Sequence, residues 1–146
     1  MDVFRDLYQQ LIIDHNQNPK NYHELENASH SADGHNPLCG DVITVSLIKR
    51  DGIIEDIAFM GSGCAISKAS ASIMTSTLKG MKIEDAEVLF NDFHTLATTG
   101  ESSGDMEKLS VLAGVHKYPA RVKCATLAWH TFQGALKNST ETIKTE

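Results

Sequence analysis

The chain has 146 residues, enough for one domain with a real core and no need of disulfide or metal staples. It is 41% hydrophobic and 22% charged, as soluble globular proteins are, and its net charge of −6 argues against nucleic acid or an anionic membrane as the main partner. No apolar run approaches membrane-spanning length and the N-terminus MDVFRDLYQQ is too charged for a signal peptide, so a reducing cytoplasm is the expected compartment.

In chain order, residues 2–15 read as an amphipathic helix, with Val3, Phe4, Leu7, Tyr8, Leu11 and Ile12 at helical spacing and Asp2 as N-cap. Asn18-Pro19 ends it. The polar stretch to about residue 35 offers at most a weak edge strand. Residues 41–49 alternate as a strand, with Ile43, Val45 and Leu47 on one face and Thr44 and Ser46 on the other. Arg50-Asp51-Gly52 is a turn signal, so residues 53–60 complete an antiparallel hairpin before Gly61-Ser62-Gly63 breaks it.

Residues 64–79 read as a helix rich in Ala and Ser, stopped by Gly80; small side chains there predict close approach to another element. Residues 83–97 form a second amphipathic pattern through Ala86, Leu89, Phe90, Phe93 and Leu96. A polar linker, 98–104, leads to a short helix over 105–115 with Met106, Leu109 and Leu112 on one face. Pro119 suits the first turn of a last helix running to about 137, followed by a polar tail. Strands and helices are segregated. The expectation is one α+β domain over 1–146, with helices on one face of a small antiparallel sheet of about three strands.

Three cysteines, an odd number, argue against a closed disulfide framework. Cys39 lies in the turn NPLCGD. Cys64 follows Gly-Ser-Gly, in the expected first turn of a helix whose dipole favours a thiolate. Cys124 follows Arg121 and Lys123, and positive charge also favours a thiolate. Their spacing carries no CxxC pair, and three unrelated cysteines are the plain alternative. Were the thiolates to converge, Asp41 is the natural fourth donor, two residues from Cys39 on extended chain. His35, His116 and His130 compete for that place; His15 suits a structural role at the end of the first helix, and His23, His30 and His94 suit the surface. There is no GxSxG, phosphate loop, HExxH or dinucleotide fingerprint. A thiol protease would leave two loop cysteines unexplained.

These motifs resemble the U-type iron–sulfur assembly proteins, the SufU/IscU/NifU N-terminal family. The resemblance spans nearly the whole chain. It rests on Asp14-His15, Asn18-Pro19 and Asn21, on Cys39-Gly40-Asp41, on Gly61-Ser62-Gly63-Cys64-Ala65-Ile66-Ser67, and on Cys124 in the last long helix. The IscU branch carries a Leu-Pro-Pro-Val-Lys chaperone motif and a histidine before its third cysteine. Here those positions read Lys117-Tyr118-Pro119-Ala120-Arg121 and Lys123, and the stretch between the second and third cysteines is longer, as in SufU.

The resemblance implies a zinc-dependent sulfur acceptor, a sulfurtransferase that takes persulfide sulfur from a SufS-type cysteine desulfurase for iron–sulfur assembly proteins downstream. It places Cys39, Asp41, Cys64 and Cys124 at one end of the molecule as zinc ligands, with Cys39 as the catalytic acceptor. A residue of the partner would replace Cys39 on the metal. Arg121 and Lys123 face either the partner or solvent. The runner-up is an iron–sulfur cluster scaffold using the same ligands; a structural zinc module without sulfur transfer is the third reading.

Overall fold

The computed structural model describes residues 3–101, 109, 112, 115–137 and 142–144, with side chains from residue 10 onward in the first helix. The expected Asp2 cap, the apolar face from Val3 to Tyr8 and nearly all of the 105–115 helix lie outside the described residues. The order is α1 (Val3–Gln17), β1 (His30–Asn36), β2 (Asp41–Arg50), β3 (Ile53–Ser62), α2 (Ala65–Leu78), α3 (Ile83–Thr99), α4 (Pro119–Leu136) and β4 (Ile143–Lys144). The sheet runs β3-β2-β1-β4, antiparallel except for the two-residue parallel pairing of β4 with β1.

The hairpin follows from alternation and its turn. Ile43, Val45 and Leu47 are buried while Thr44 and Ser46 face outward, and Asp51 and Gly52 take the positive φ angles of a two-residue hairpin turn. Strand β1 departs from expectation. Strand β2 pairs along its whole length, and β4 adds to its other side at Gly34 and His35 alone. Its polar sequence hides the reason: the inward residues Ala32, Gly34 and Asn36 are small or polar because α4 lies directly on them. A Cβ on Gly34 would collide with Thr131 of α4. The tail, read as merely polar, supplies β4.

Helix α4 is buried at almost every position from Cys124 to Ala135, so it is central rather than amphipathic. It packs on β1 and β2, with α2 and α3 beside it. Small residues let α2 approach closely. Ser70 Oγ donates to the Ala125 carbonyl at 2.6 Å and accepts from Trp129 Nε1 at 3.2 Å. Trp129 stacks on Phe93 of α3 with ring centroids 4.5 Å apart. Each such fully buried aromatic is worth roughly 1.5–3 kcal/mol of transfer free energy. The other side of α2 holds α1: His15, 6% exposed, meets Ser72 Oγ at 2.6 Å, and the Lys20 N–H donates to the same oxygen at 2.7 Å. His15 is thus structural, as its position predicted. Leu109, Leu112 and Val115 are buried in the core, consistent with the apolar face expected there.

Candidate metal and thiol site

The site lies at one end of the sheet, where three chain segments meet. The β1–β2 turn, Pro37 to Gly40, begins with the Pro-set backbone and closes through a Gly40 N–H bond to the Asn36 carbonyl at 2.8 Å. Gly40 takes φ +76°, a conformation that side-chain-bearing residues avoid. That turn leaves Cys39 exposed and brings Asp41, fully buried, into register opposite Asn36. Pairing of Val42 with Ser62 carries the end of β3 alongside, so Cys64 follows directly.

Cys64 is the N-cap of α2, one residue short of the expected first turn, with φ −71° and ψ 168°. Its Sγ accepts the Ser67 N–H at 3.4 Å, a cap contact at the positive end of the helix. Its own N–H donates to Asp41 Oδ1 at 2.9 Å. Cys124 comes from the second turn of α4 and is fully buried, its Sγ 3.2 Å from Cys39 Sγ.

Among the described residues, one set of donors has ligand atoms all within 4.8 Å of one another: Cys39, Asp41 and Cys124. Cys64 is outside that mutual set but adjoins it, through its N–H on Asp41 and through its effect on Cys124. His35 sits on the outward-facing positions of β1, opposite in sense to buried Asn36. His130 packs edge-on against Phe90 and His94, outside the donor set; burial first and the charge of His94 second lower its pKa. His116 lies against Gly100 at the end of α3. Asp41 is therefore the non-sulfur donor of this cluster.

The expectation that positive charge would favour a Cys124 thiolate is corrected. Burial, then contact with Cys39 and the charge of Cys64, push the Cys124 thiol well above the ordinary range. Burial is the foremost cause, and Arg121 is exposed. Arg121 nevertheless senses the cluster: its own pKa is raised, chiefly by Cys64 and further by Cys124 and Cys39. A bound cation would reverse the balance at Cys124, because a coordinating thiol is deprotonated outright.

Sequence reasoning missed one residue. Asn36 is fully buried, and its Nδ2 donates to Asp41 Oδ2 at 3.4 Å and to Cys124 Sγ at 3.5 Å. Its Oδ1 accepts the Leu38 N–H at 3.2 Å, an Asx-type brace of the turn. The Asn-Pro dipeptide was the available signal. Ser67 adds a buried Oγ with no hydrogen-bond partner beside the Cys64 cap.

The donors suit a thiophilic metal: up to three sulfurs and one carboxylate, with supporting hydrogen bonds already aimed. The model of the NifU-like N terminal domain matches residues 7–140. A Bacillus subtilis protein named zinc-dependent sulfurtransferase SufU is 45% identical over 130 residues, 87% of each chain. A Streptococcus pyogenes protein named iron-sulfur cluster assembly scaffold protein IscU is 38% identical over 135 residues, 91% of this chain and 84% of that one. A crystal structure from Fervidobacterium islandicum AW-1, described as a candidate iron-sulfur cluster assembly scaffold protein for the SUF system, superposes with a TM-score of 0.83 at 30% identity, covering 90% of this chain and 98% of that one.

Proposed function

The chain belongs to the NifU-like N-terminal domain family, and from that premise we propose that it is a zinc-dependent sulfurtransferase that accepts persulfide sulfur from a SufS-type cysteine desulfurase for iron–sulfur cluster assembly. The observation that carries this reading is an exposed Cys39 held beside buried Cys124 and Asp41. Similarity to the Bacillus subtilis sulfurtransferase supports zinc as the metal. Cys39, Asp41, Cys64 and Cys124 would hold it. Bound zinc supplies thiolates at neutral pH and damps their nucleophilicity until one is released.

The residues divide the labour. Cys124 is locked in α4, and Cys64 is tied to the start of α2. Cys39 stands on a four-residue turn, so it is the thiol able to face a partner. Its thiolate attacks the terminal sulfur of the donor persulfide. A new S–S bond forms on Cys39, and the donor cysteine leaves as a thiolate. Asn36 and the Cys64 N–H keep the Asp41 carboxylate oriented throughout.

The surroundings suit a protein partner rather than a small donor. Leu38 and Tyr118 are 63% and 61% exposed, one on the turn that carries Cys39 and the other at the start of the helix that carries Cys124. Residues 108–140 carry five Lys or Arg and no Asp or Glu, in a chain of net charge −6. Arg121 and Lys123 belong to that stretch, so the desulfurase face they meet is acidic. Three free thiols suit a reducing cytoplasm, and no described helix is long and apolar enough to cross a membrane.

The test is a desulfurase assay with and without this protein, repeated with Cys39→Ala. Stimulation by the wild type and none by the variant is expected; no stimulation by the wild type leaves a purely structural metal module. The scaffold reading draws on the 38%-identical IscU-named relative. Anaerobic purification with metal analysis separates them: stoichiometric zinc supports the acceptor, and a stable cluster passed to an apo-protein supports the scaffold.

A further inference from the structure

We infer that Cys39 and Cys124 form a redox modification site, an internal disulfide made by hydroperoxides, in which exposed Cys39 is oxidised first and buried Cys124 resolves it. The inference concerns the same cluster as the proposed function but needs no desulfurase and no sulfur transfer.

Geometry separates the roles of the two thiols. Cys39 is exposed on its turn, whereas Cys124 is fully buried. Their sulfurs are 3.2 Å apart, so a bond of about 2.05 Å requires an approach of roughly 1 Å. The turn carrying Cys39 is held at its ends, by the Gly40 N–H on the Asn36 carbonyl, and the Cys39 sulfur meets that of Cys124. Cys64 also reaches Cys124, but its sulfur caps α2 by accepting the Ser67 N–H, and it lies outside the set of donors mutually within 4.8 Å.

The chemistry closes without a further reactant. Cys39 sulfur attacks the peroxide oxygen. An S–O bond forms, the O–O bond breaks, and water or an alcohol leaves with the thiol proton, giving a sulfenic acid. Cys124 sulfur then attacks Cys39 sulfur. An S–S bond forms, the S–O bond breaks, and water leaves with the second proton. Two thiols lose two electrons, and the hydroperoxide is reduced by two. A sulfenic acid formed on Cys39 would lie beside the Cys124 sulfur, so capture within the molecule competes with the irreversible sulfinic and sulfonic stages. The bridge removes two sulfur donors from the cluster, so oxidation releases metal and blocks sulfur acceptance together.

The test uses the full chain as purified, with and without added zinc, treated with hydrogen peroxide at a few equivalents. Non-reducing peptide mapping should find a Cys39–Cys124 linked peptide in a monomer, formed faster without added zinc and reversed by dithiothreitol. A chromophoric indicator should register zinc release in step with the bridge. Cys64→Ser should still form it. In Cys124→Ser, dimedone should trap a sulfenic acid on Cys39, a result independent of how well that variant binds metal. Dominant Cys39–Cys64 or Cys64–Cys124 bridges, intermolecular dimers, or unbridged oxyacids on Cys39 in the wild type would each overturn the inference. A bridge in a protein that accepts no sulfur would sink the sulfurtransferase reading alone; sulfur acceptance without a bridge would sink this one alone.

Discussion

Replacing Asn36 by Ala removes a side chain that touches the turn, Asp41 and Cys124 at once. Three contacts go: Nδ2 to Asp41 Oδ2 at 3.4 Å, Nδ2 to Cys124 Sγ at 3.5 Å, and the Leu38 N–H to Oδ1 at 3.2 Å. All three are long, so each lies at the lower end of the roughly 0.5–1.5 kcal/mol that a net hydrogen bond contributes. Asp41 is fully buried, and losing a donor there adds a desolvation cost. The expected destabilisation of the metal-free protein is about 1–3 kcal/mol. At roughly 2–4 °C per kcal/mol for a domain near this size, Tm should fall by about 3–10 °C. Zinc affinity should fall about 10–100-fold, the usual cost of removing a group that orients metal ligands. Calorimetry reads the first quantity, and competition against a chromophoric chelator reads the second. Asn36→Asp keeps the acceptor for Leu38 but sets a second carboxylate against Asp41, so it should restore the turn more than the metal affinity. Wild-type zinc affinity in Asn36→Ala would refute the orienting role, whatever happens to Tm.

Other expectations follow from particular contacts. Gly63→Ala would place a Cβ 2.7 Å from Asp41 Oδ1, so it should cost about 1–3 kcal/mol by overpacking and weaken zinc binding, read by the same two assays. His130 has a lowered pKa in the fold, so the unfolded chain binds the proton more readily; this contribution is constant above about pH 6.5 and stability falls as pH drops below it. Urea titrations between about pH 7 and 5.5 should show that slope, and His130→Gln should flatten it. Leu38→Asp or Tyr118→Ala should raise the Kd for the desulfurase at least several-fold while leaving zinc content unchanged, measured by calorimetric titration.

The hairpin β2–β3 was legible because its inward residues are large and alternate, and its turn residues permit positive φ. The Ala/Ser content of α2 announced close packing, and Ser70 and Ser72 realise it against α4 and α1. Strand β1 was legible only as a weak edge strand. Its inward positions are Ala32, Gly34 and Asn36, chosen by the proximity of α4, and helix proximity leaves no local period. Strand β4 has only two residues, fewer than any alternation needs. At the site, Cys39, Asp41 and Cys124 stood out by residue type and context. The sign of the Cys124 environment did not, since it is set by burial and by Cys39, Cys64 and Asp41, which lie far away in sequence. Asn36 escaped for the same reason: its contact with Cys124 spans 88 positions of chain.

Sulfur acceptance at Cys39 is tested most directly by locating the transferred atom. Zinc-loaded protein is incubated with a SufS-type desulfurase and cysteine, alkylated without reductant, and mapped by peptide mass spectrometry. One added sulfur on the Cys39 peptide, and none on Cys64 or Cys124, is the expected result. An unmodified Cys39 peptide under turnover, or sulfur carried on another cysteine, would contradict it.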